Sequence, residues 1–428
     1  MVAVLLFLAP PDRAVADPVA LRLQTGAERL VAEDWLVLRG KRVALITNHT
    51  GMVDDRHLAD LMQAAPEVEL VALFGPEHGI RGDAPAGARV EDEVDSATGV
   101  PVYSLYGAER RLDPARLRQL GAEVLVFDIQ DVGARFYTYI STMGYGMQAA
   151  AAAGIPMVIL DRPNPLGGEL VEGPVLRRGM ESFVGRYPIP VVHGLTVGEL
   201  AAMIQGERWL PGLESLQLEV VGMTGWRREL RWPQLGRVWR PPSPNLPDWQ
   251  TTLVYPGICL LEGTVLSEGR GTHRPFLQWG APWLDHTALA ASLNARSLPG
   301  VRFEPVEFEP RNLPGMAMNP KFSGQIVRGV AVEVTEAAAV EPVSLGLHLL
   351  ELAWAAAPAD QRDGFFRSGF FAQLAGTGDL EVRLRAGAPA TDIMADWAGE
   401  LEAFRERRGR YLRYSGADRP ANGARGGP

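Results

Sequence analysis

The sequence predicts an α/β protein: a doubly wound parallel sheet followed by a smaller α+β domain. Three observations carry this. Short runs of Val, Leu, Ile and Phe recur, too continuous for a half-exposed strand, as expected for strands buried on both faces. Stretches of helical character separate them, giving a β-α-β-α rhythm with right-handed crossovers. A shift to Trp and Pro between Trp226 and Pro256 then divides this region from one with a different pattern.

The elements follow in order. Arg42–Thr47 reads as the first buried strand and is followed by Asn48-His49-Thr50-Gly51. Residues 58–65 fit a helix. Leu70–Phe74 is the second strand, broken by Gly75-Pro76. A helix over 114–120 precedes the strand Val124–Asp128. An Ala-rich helix over 143–153, stopped by Gly154, leads to a strand over 155–161. Thr196 with Glu199 three residues on is a capping box, which gives Glu199 a structural role. The Trp226–Pro256 stretch, with six prolines from Pro233 to Pro256, reads as an irregular connection. Beyond it, the alternation in Gly329–Thr335 marks a strand, and 344–357 a helix. The domains expected are a signal-like segment over 1–17, a catalytic domain over 18–250, an α+β domain over 251–414 and a disordered tail over 415–428.

Composition narrows the function. The chain has 428 residues and a formal charge of -9, without a stripe of Lys or Arg. A nucleic-acid or anionic-membrane partner is therefore not expected. The single cysteine, Cys259, lies in an apolar run and reads as a small buried hydrophobe. The seven histidines show no zinc-type spacing, so no metal or other cofactor is expected. Neither Gly-x-Gly-x-x-Gly nor a phosphate loop follows a strand, and Gly-x-Ser-x-Gly is absent. The apolar run Val2–Leu8 and the Ala14-Val15-Ala16 triplet resemble an export signal, which predicts a periplasmic or secreted protein. No later run of 18 apolar residues would span a membrane.

The polar residues gather at the predicted strand ends. Glu77, His78 and Arg81 follow the second strand. Asp128, Gln130, Asp131, Arg135, Tyr137 and Tyr139 follow the strand at 124–128. Asp161, Arg162 and Asn164 follow the next, and Asn48 follows the first. Four loops in register argue for one polar cleft at the carboxyl edge, where open α/β sheets bind ligands. Each group also has a plainer reading. Asp128 with Arg135 would make a structural bridge, Asp161-Arg162-Pro163-Asn164-Pro165 a rigid turn, and His193 a satisfied core histidine. Glu268 and Arg270, in a glycine-flanked loop, suit sugar hydroxyls or a carboxylate, and Trp279 and Trp283 either stack on a sugar or pack. With serine and metal chemistry unsupported, carboxylate chemistry remains, the usual equipment for glycoside cleavage.

Leu45-Ile46-Thr47-Asn48, Phe74-Gly75-Pro76-Glu77-His78-Gly79, the run Phe127–Tyr139, Leu160-Asp161-Arg162-Pro163-Asn164-Pro165-Leu166-Gly167-Gly168 and Ser267-Glu268-Gly269-Arg270-Gly271-Thr272 together resemble the NamZ-type exo-β-N-acetylmuramidase family. The resemblance implies a Rossmann-like domain, a smaller C-terminal domain and an active cleft between them. It implies release of terminal N-acetylmuramic acid from MurNAc-GlcNAc saccharides of peptidoglycan, with Glu77 as the catalytic acid. On that reading His78 or Asp128 orients Glu77, and Asp128, Glu268 or the substrate's own N-acetyl group fills the second role. Arg81, Arg135 or Arg270 would pair with the lactyl carboxylate. Two other readings stay open: a non-catalytic cell-wall-saccharide-binding protein, and a hydrolase or transferase acting on a phosphorylated or nucleotide-linked sugar.

Overall fold

The computed structural model describes residues 22–77, 79–82, 93–106 and 110–415. His78, the signal-like segment and all but the first residue of the expected tail lie outside the described residues. The strands are β1 (Arg42–Thr47), a small hairpin of β2 (Met52–Val53) and β3 (Arg56–His57), β4 (Glu69–Gly75), β5 (Glu93–Val94), β6 (Pro101–Ser104), β7 (Val124–Asp128), β8 (Met157–Leu160) and β9 (Leu218–Val221). Seven of them form one sheet in the order β5-β6-β4-β1-β7-β8-β9. All neighbours are parallel except the β5/β6 edge.

Alternation along the strands explains why both faces are covered. Val43 and Leu45 point to one side, with Leu70, Leu73, Val124 and Val126. There they bury α1 (Gly26–Ala32) and α2 (Leu58–Ala64). Ala44 and Ile46 point to the other, with Ala72, Phe74, Leu125 and Phe127. They pack on α3 (Pro114–Gln119), α4 (Tyr139–Ala153) and α5 (Val197–Gly206). The predicted strands and helices of this half are present, and the Thr196–Glu199 capping box forms. Helix α4 starts at Tyr139, four residues before the Ala-rich run. Tyr139–Thr142 has modest intrinsic helix propensity, but its side chains are buried, and packing outweighs propensity.

The second half holds an antiparallel sheet of β10 (Gln278–Ala281), β12 (Val327–Val334) and β11 (Val301–Phe308), in that order. Around it lie α6 (Trp249–Ile258), α7 (His286–Ala295), α8 (Pro342–Ala356), α9 (Ala359–Arg362), α10 (Ser368–Ala375), α11 (Asp379–Arg385), α12 (Ala390–Ala395) and α13 (Ala398–Arg408). Helix α6 corrects the expectation of an irregular connection up to Pro256. Asp248 caps it by accepting from the Thr251 amide, and Pro256 lies inside its last turn, just before the backbone tightens into a 3₁₀ turn over Cys259–Gly263. The core of this half also takes in Val132, Phe136, Leu166 and Val191 from the first, so the halves share an apolar seam.

The stretch Arg237–Ser243 crosses the carboxyl edge of the large sheet as a strap. Its Pro241 carbonyl lies 2.7 Å from His49 Nε2, and its Pro242 carbonyl accepts from the Tyr139 hydroxyl at 2.8 Å. The strand order reverses between β1 and β7, the place where such sheets open their ligand crevice. Here the strap lies over that crevice and leaves a cavity on either side.

Candidate active site

On the β4/β6 side of the strap is a cavity of about 530 Å3. Its first wall comes from the large sheet: Glu77 after β4, Tyr106 after β6, and Tyr137 and Tyr139 after β7. Ser182, Phe183 and the strap's Ser243 extend it. Its second wall comes from the other half: Tyr255 on α6, Glu262, Arg270, and Phe370 and Gln373 on α10.

Glu77 stands among phenols. The Tyr106 hydroxyl hydrogen-bonds its carboxylate; burial and that neighbouring negative charge push the phenol up to about 12. Tyr139 and Tyr137 also feel the Glu77 charge, and burial first of all raises both. Their rings meet edge to face at 4.9 Å, and Tyr137 meets Tyr255 in the same way at 6.0 Å. All these phenols therefore hold their protons at neutral pH and act as hydrogen-bond donors. The Ser182 Oγ is buried in the cavity wall without a partner, so it can receive a ligand hydroxyl or amide. Glu262 accepts from Arg270 at 2.8 Å.

Of the residues expected at the site, Glu77, Tyr137, Tyr139 and Arg270 line this cavity. The other described ones are held elsewhere, which corrects the expectation of one cleft fed by all four loops. Asp128, fully buried, takes a two-pronged ion pair from Arg162 at 2.6 and 2.9 Å. Arg162, not Arg135, is thus its partner. Arg135 is buried without a carboxylate. It donates instead to the carbonyls of Pro174, Ile189, Leu374 and Ala375, and burial lowers its pKa to about 9. Arg81 bridges Asp95 and Asp60, both at 2.7 Å. Asp161 receives Thr196 Oγ1, the Gly198 amide and the Tyr414 hydroxyl. Asn164 makes the expected turn by accepting from the Leu166 amide, and donates to the Leu195 carbonyl. Gly133 is needed beside it: φ is +79°, and a Cβ there would lie 2.4 Å from Asn164 Oδ1. Asn48 accepts twice from Thr50. His193 is enclosed, and burial with Arg408 and Arg135 nearby lowers its pKa to about 3. Glu268 is buried against Lys321 at 3.0 Å. Trp279 is fully buried and packs rather than stacks on a ligand.

A second cavity of about 260 Å3 lies across the strap and is lined in part by Gln130 and Arg162. Gln130 donates to the carbonyls of Asp131 and Pro163. Most of the charges around this cavity are paired: Arg237 with Glu28 at 2.9 Å, Arg240 with Asp55 at 3.2 Å, and Arg162 with Asp128. Among the described residues, no three His, Cys, Asp or Glu side chains group as metal ligands would.

Sequence reasoning missed Tyr106, Ser182, Tyr255, Glu262 and Gln373. Tyr106 had a signal, since it follows a Val-Tyr-Ser strand in the same rhythm. Gln373 and Ser182 had none, because helix packing and a long loop bring them in.

A family model described as "Exo-beta-N-acetylmuramidase NamZ, N-terminal" matches residues 43–250, and its C-terminal counterpart matches 253–414. The peptidoglycan β-N-acetylmuramidase NamZ of Bacillus subtilis (strain 168) is 41% identical over 407 residues, 95% of each chain. Two crystal structures of DUF1343 family proteins from Bacteroides fragilis NCTC 9343 superpose with TM-scores of 0.84 and 0.74 at 36% identity. Each covers 92% of this chain, and the matches span 100% and 99% of theirs.

Proposed function

The chain belongs to the exo-β-N-acetylmuramidase NamZ family, and from that premise we propose that it is a glycoside hydrolase that removes β-linked N-acetylmuramic acid from the non-reducing ends of peptidoglycan fragments. The observation that carries this for the present chain is Glu77, set among hydroxyl donors in a cavity built by both halves. Glu77 gives its proton to the glycosidic oxygen as the bond to the anomeric carbon breaks. Tyr106 holds the carboxyl in place, and Ser182 Oγ offers a contact to the sugar. Among the described lining residues the other carboxylate is Glu262, and Arg270 neutralises it. That favours attack on the anomeric carbon by the substrate's own N-acetyl oxygen, an arrangement known in some glycosidases.

A chromogenic β-N-acetylmuraminide and the matching glucosaminide, given to wild-type protein and to Glu77→Gln, test the reading. Release from the muraminide by wild type alone supports it. A folded wild-type protein that binds the sugar but releases nothing points to a saccharide-binding protein instead. The apolar Val2–Leu8 run supports a role outside the cytoplasm in wall-fragment recycling; N-terminal sequencing of the protein from its native compartment checks this.

A further inference from the structure

We propose that Arg110 recognises the lactyl carboxylate of the substrate, the group that distinguishes N-acetylmuramic acid from N-acetylglucosamine. The inference rests on the reading above and assigns a residue to its specificity.

The cavity has two cationic side chains among its described lining residues, Arg110 and Arg270. Arg270 lies between Glu262 at 2.8 Å and Glu268 at 3.7 Å, and Lys321 also holds Glu268. Two cations and two carboxylates there make a closed, neutral cluster. A further carboxylate would have to displace an existing partner. The other arginines expected to bind substrate are committed elsewhere: Arg81 to two aspartates and Arg135 to four carbonyls.

Arg110 differs. It is exposed at the cavity mouth, and no described carboxylate pairs with it. Its guanidinium lies 4.5 Å from the Phe183 ring centre and 6.0 Å from that of Tyr106. Stacking on rings steadies the guanidinium plane and leaves its N–H edge for a planar, two-pronged contact with a carboxylate. The surroundings favour an anion. Tyr145 stacks with Phe183, and Arg111 and Arg186 lie over Tyr145 at 5.3 and 3.8 Å. Three arginines thus gather about one pair of stacked rings on a chain of net charge -9. Tyr106 touches the Glu77 carboxylate and feels the charge of Arg110. One phenol therefore separates the acid at the anomeric oxygen from the cation. The lactyl group is carried on the same sugar ring as that oxygen, so one bound ring can reach both.

The test uses full-length wild type, Arg110→Gln and Arg110→Lys with two chromogenic substrates: the β-N-acetylmuraminide and its neutral lactyl methyl ester. A charge-assisted contact predicts that wild type prefers the free acid by about 10–100-fold in kcat/KM, and that Arg110→Gln removes that preference, chiefly through KM, with the ester within about twofold of wild type. Arg110→Lys restores part of it. The proposal is overturned if Arg110→Gln lowers both substrates equally, or neither, or if wild type shows no preference for the acid. Failure of wild type to release either sugar is a separate result, which removes the exo-muramidase reading and this proposal with it.

Discussion

The two cavities beside the strap show what makes charged residues at a sheet edge available for chemistry. They lie at the same edge, and ionisable groups line both. On the β8 side most of the ions are matched within the chain, Arg162 with Asp128 and Arg237 with Glu28. On the β4 side Arg270 and Glu262 also pair, but Arg110 lies against the rings of Phe183 and Tyr106 and no described carboxylate pairs with it. A buried ion pair that is complete leaves nothing for a ligand to neutralise. A cation set against aromatic rings keeps its charge for one. Position at the carboxyl edge is thus common to both cavities, and paired ions line both; Arg110, set against rings, is what the β4 side adds.

The contrast can be broken by mutation. The largest effect is expected from Glu77→Gln, which should lower kcat by roughly 10²–10⁴-fold with the melting temperature kept. A loss below tenfold would end the assignment of Glu77 as the acid. Asp128→Asn should do the opposite, costing about 3–5 kcal/mol of stability by stranding Arg162, as read by denaturant unfolding. Activity lost at unchanged stability would return Asp128 to the chemistry. Tyr106→Phe removes one hydrogen bond to Glu77 and should lower kcat on the order of 3–10-fold, with KM and melting temperature little changed.

The smallest effect concerns Asp131. Burial raises its carboxyl from 3.8 to about 7. The folded state therefore holds a proton that the unfolded chain releases between about pH 4 and 7. The stability this carboxyl contributes is complete below its unfolded pKa and is lost as pH rises through its folded one. Asp131→Asn should match wild type near pH 4 and melt a few degrees higher at pH 8. A gap that stays constant with pH would show that the carboxyl does not titrate there.

The strands of the large sheet were legible because burial on both faces writes an unbroken apolar run, as in Arg42–Thr47 and Val124–Asp128. Glu77 was legible because a Gly-Pro break set it just beyond such a run. Pairing was not legible. Whether Asp128 meets Arg135 or Arg162 depends on how two loops cross, and both arginines stand at plausible positions in sequence. The far wall was hidden for a related reason. Gln373 and Phe370 reach the cavity through packing of α10, almost 300 residues after Glu77, and no local pattern records that distance.

Arg135 has a consequence for how the two walls of the cavity are joined. Its guanidinium stands at the carboxyl end of α10, where a helix favours positive charge, and ties that end to the Pro174 and Ile189 carbonyls of the first half. Phe370 and Gln373 on the same helix face Glu77 across the cavity. One buried guanidinium thus fastens the helix that carries the far wall to the half that carries Glu77, and it does so through backbone carbonyls alone.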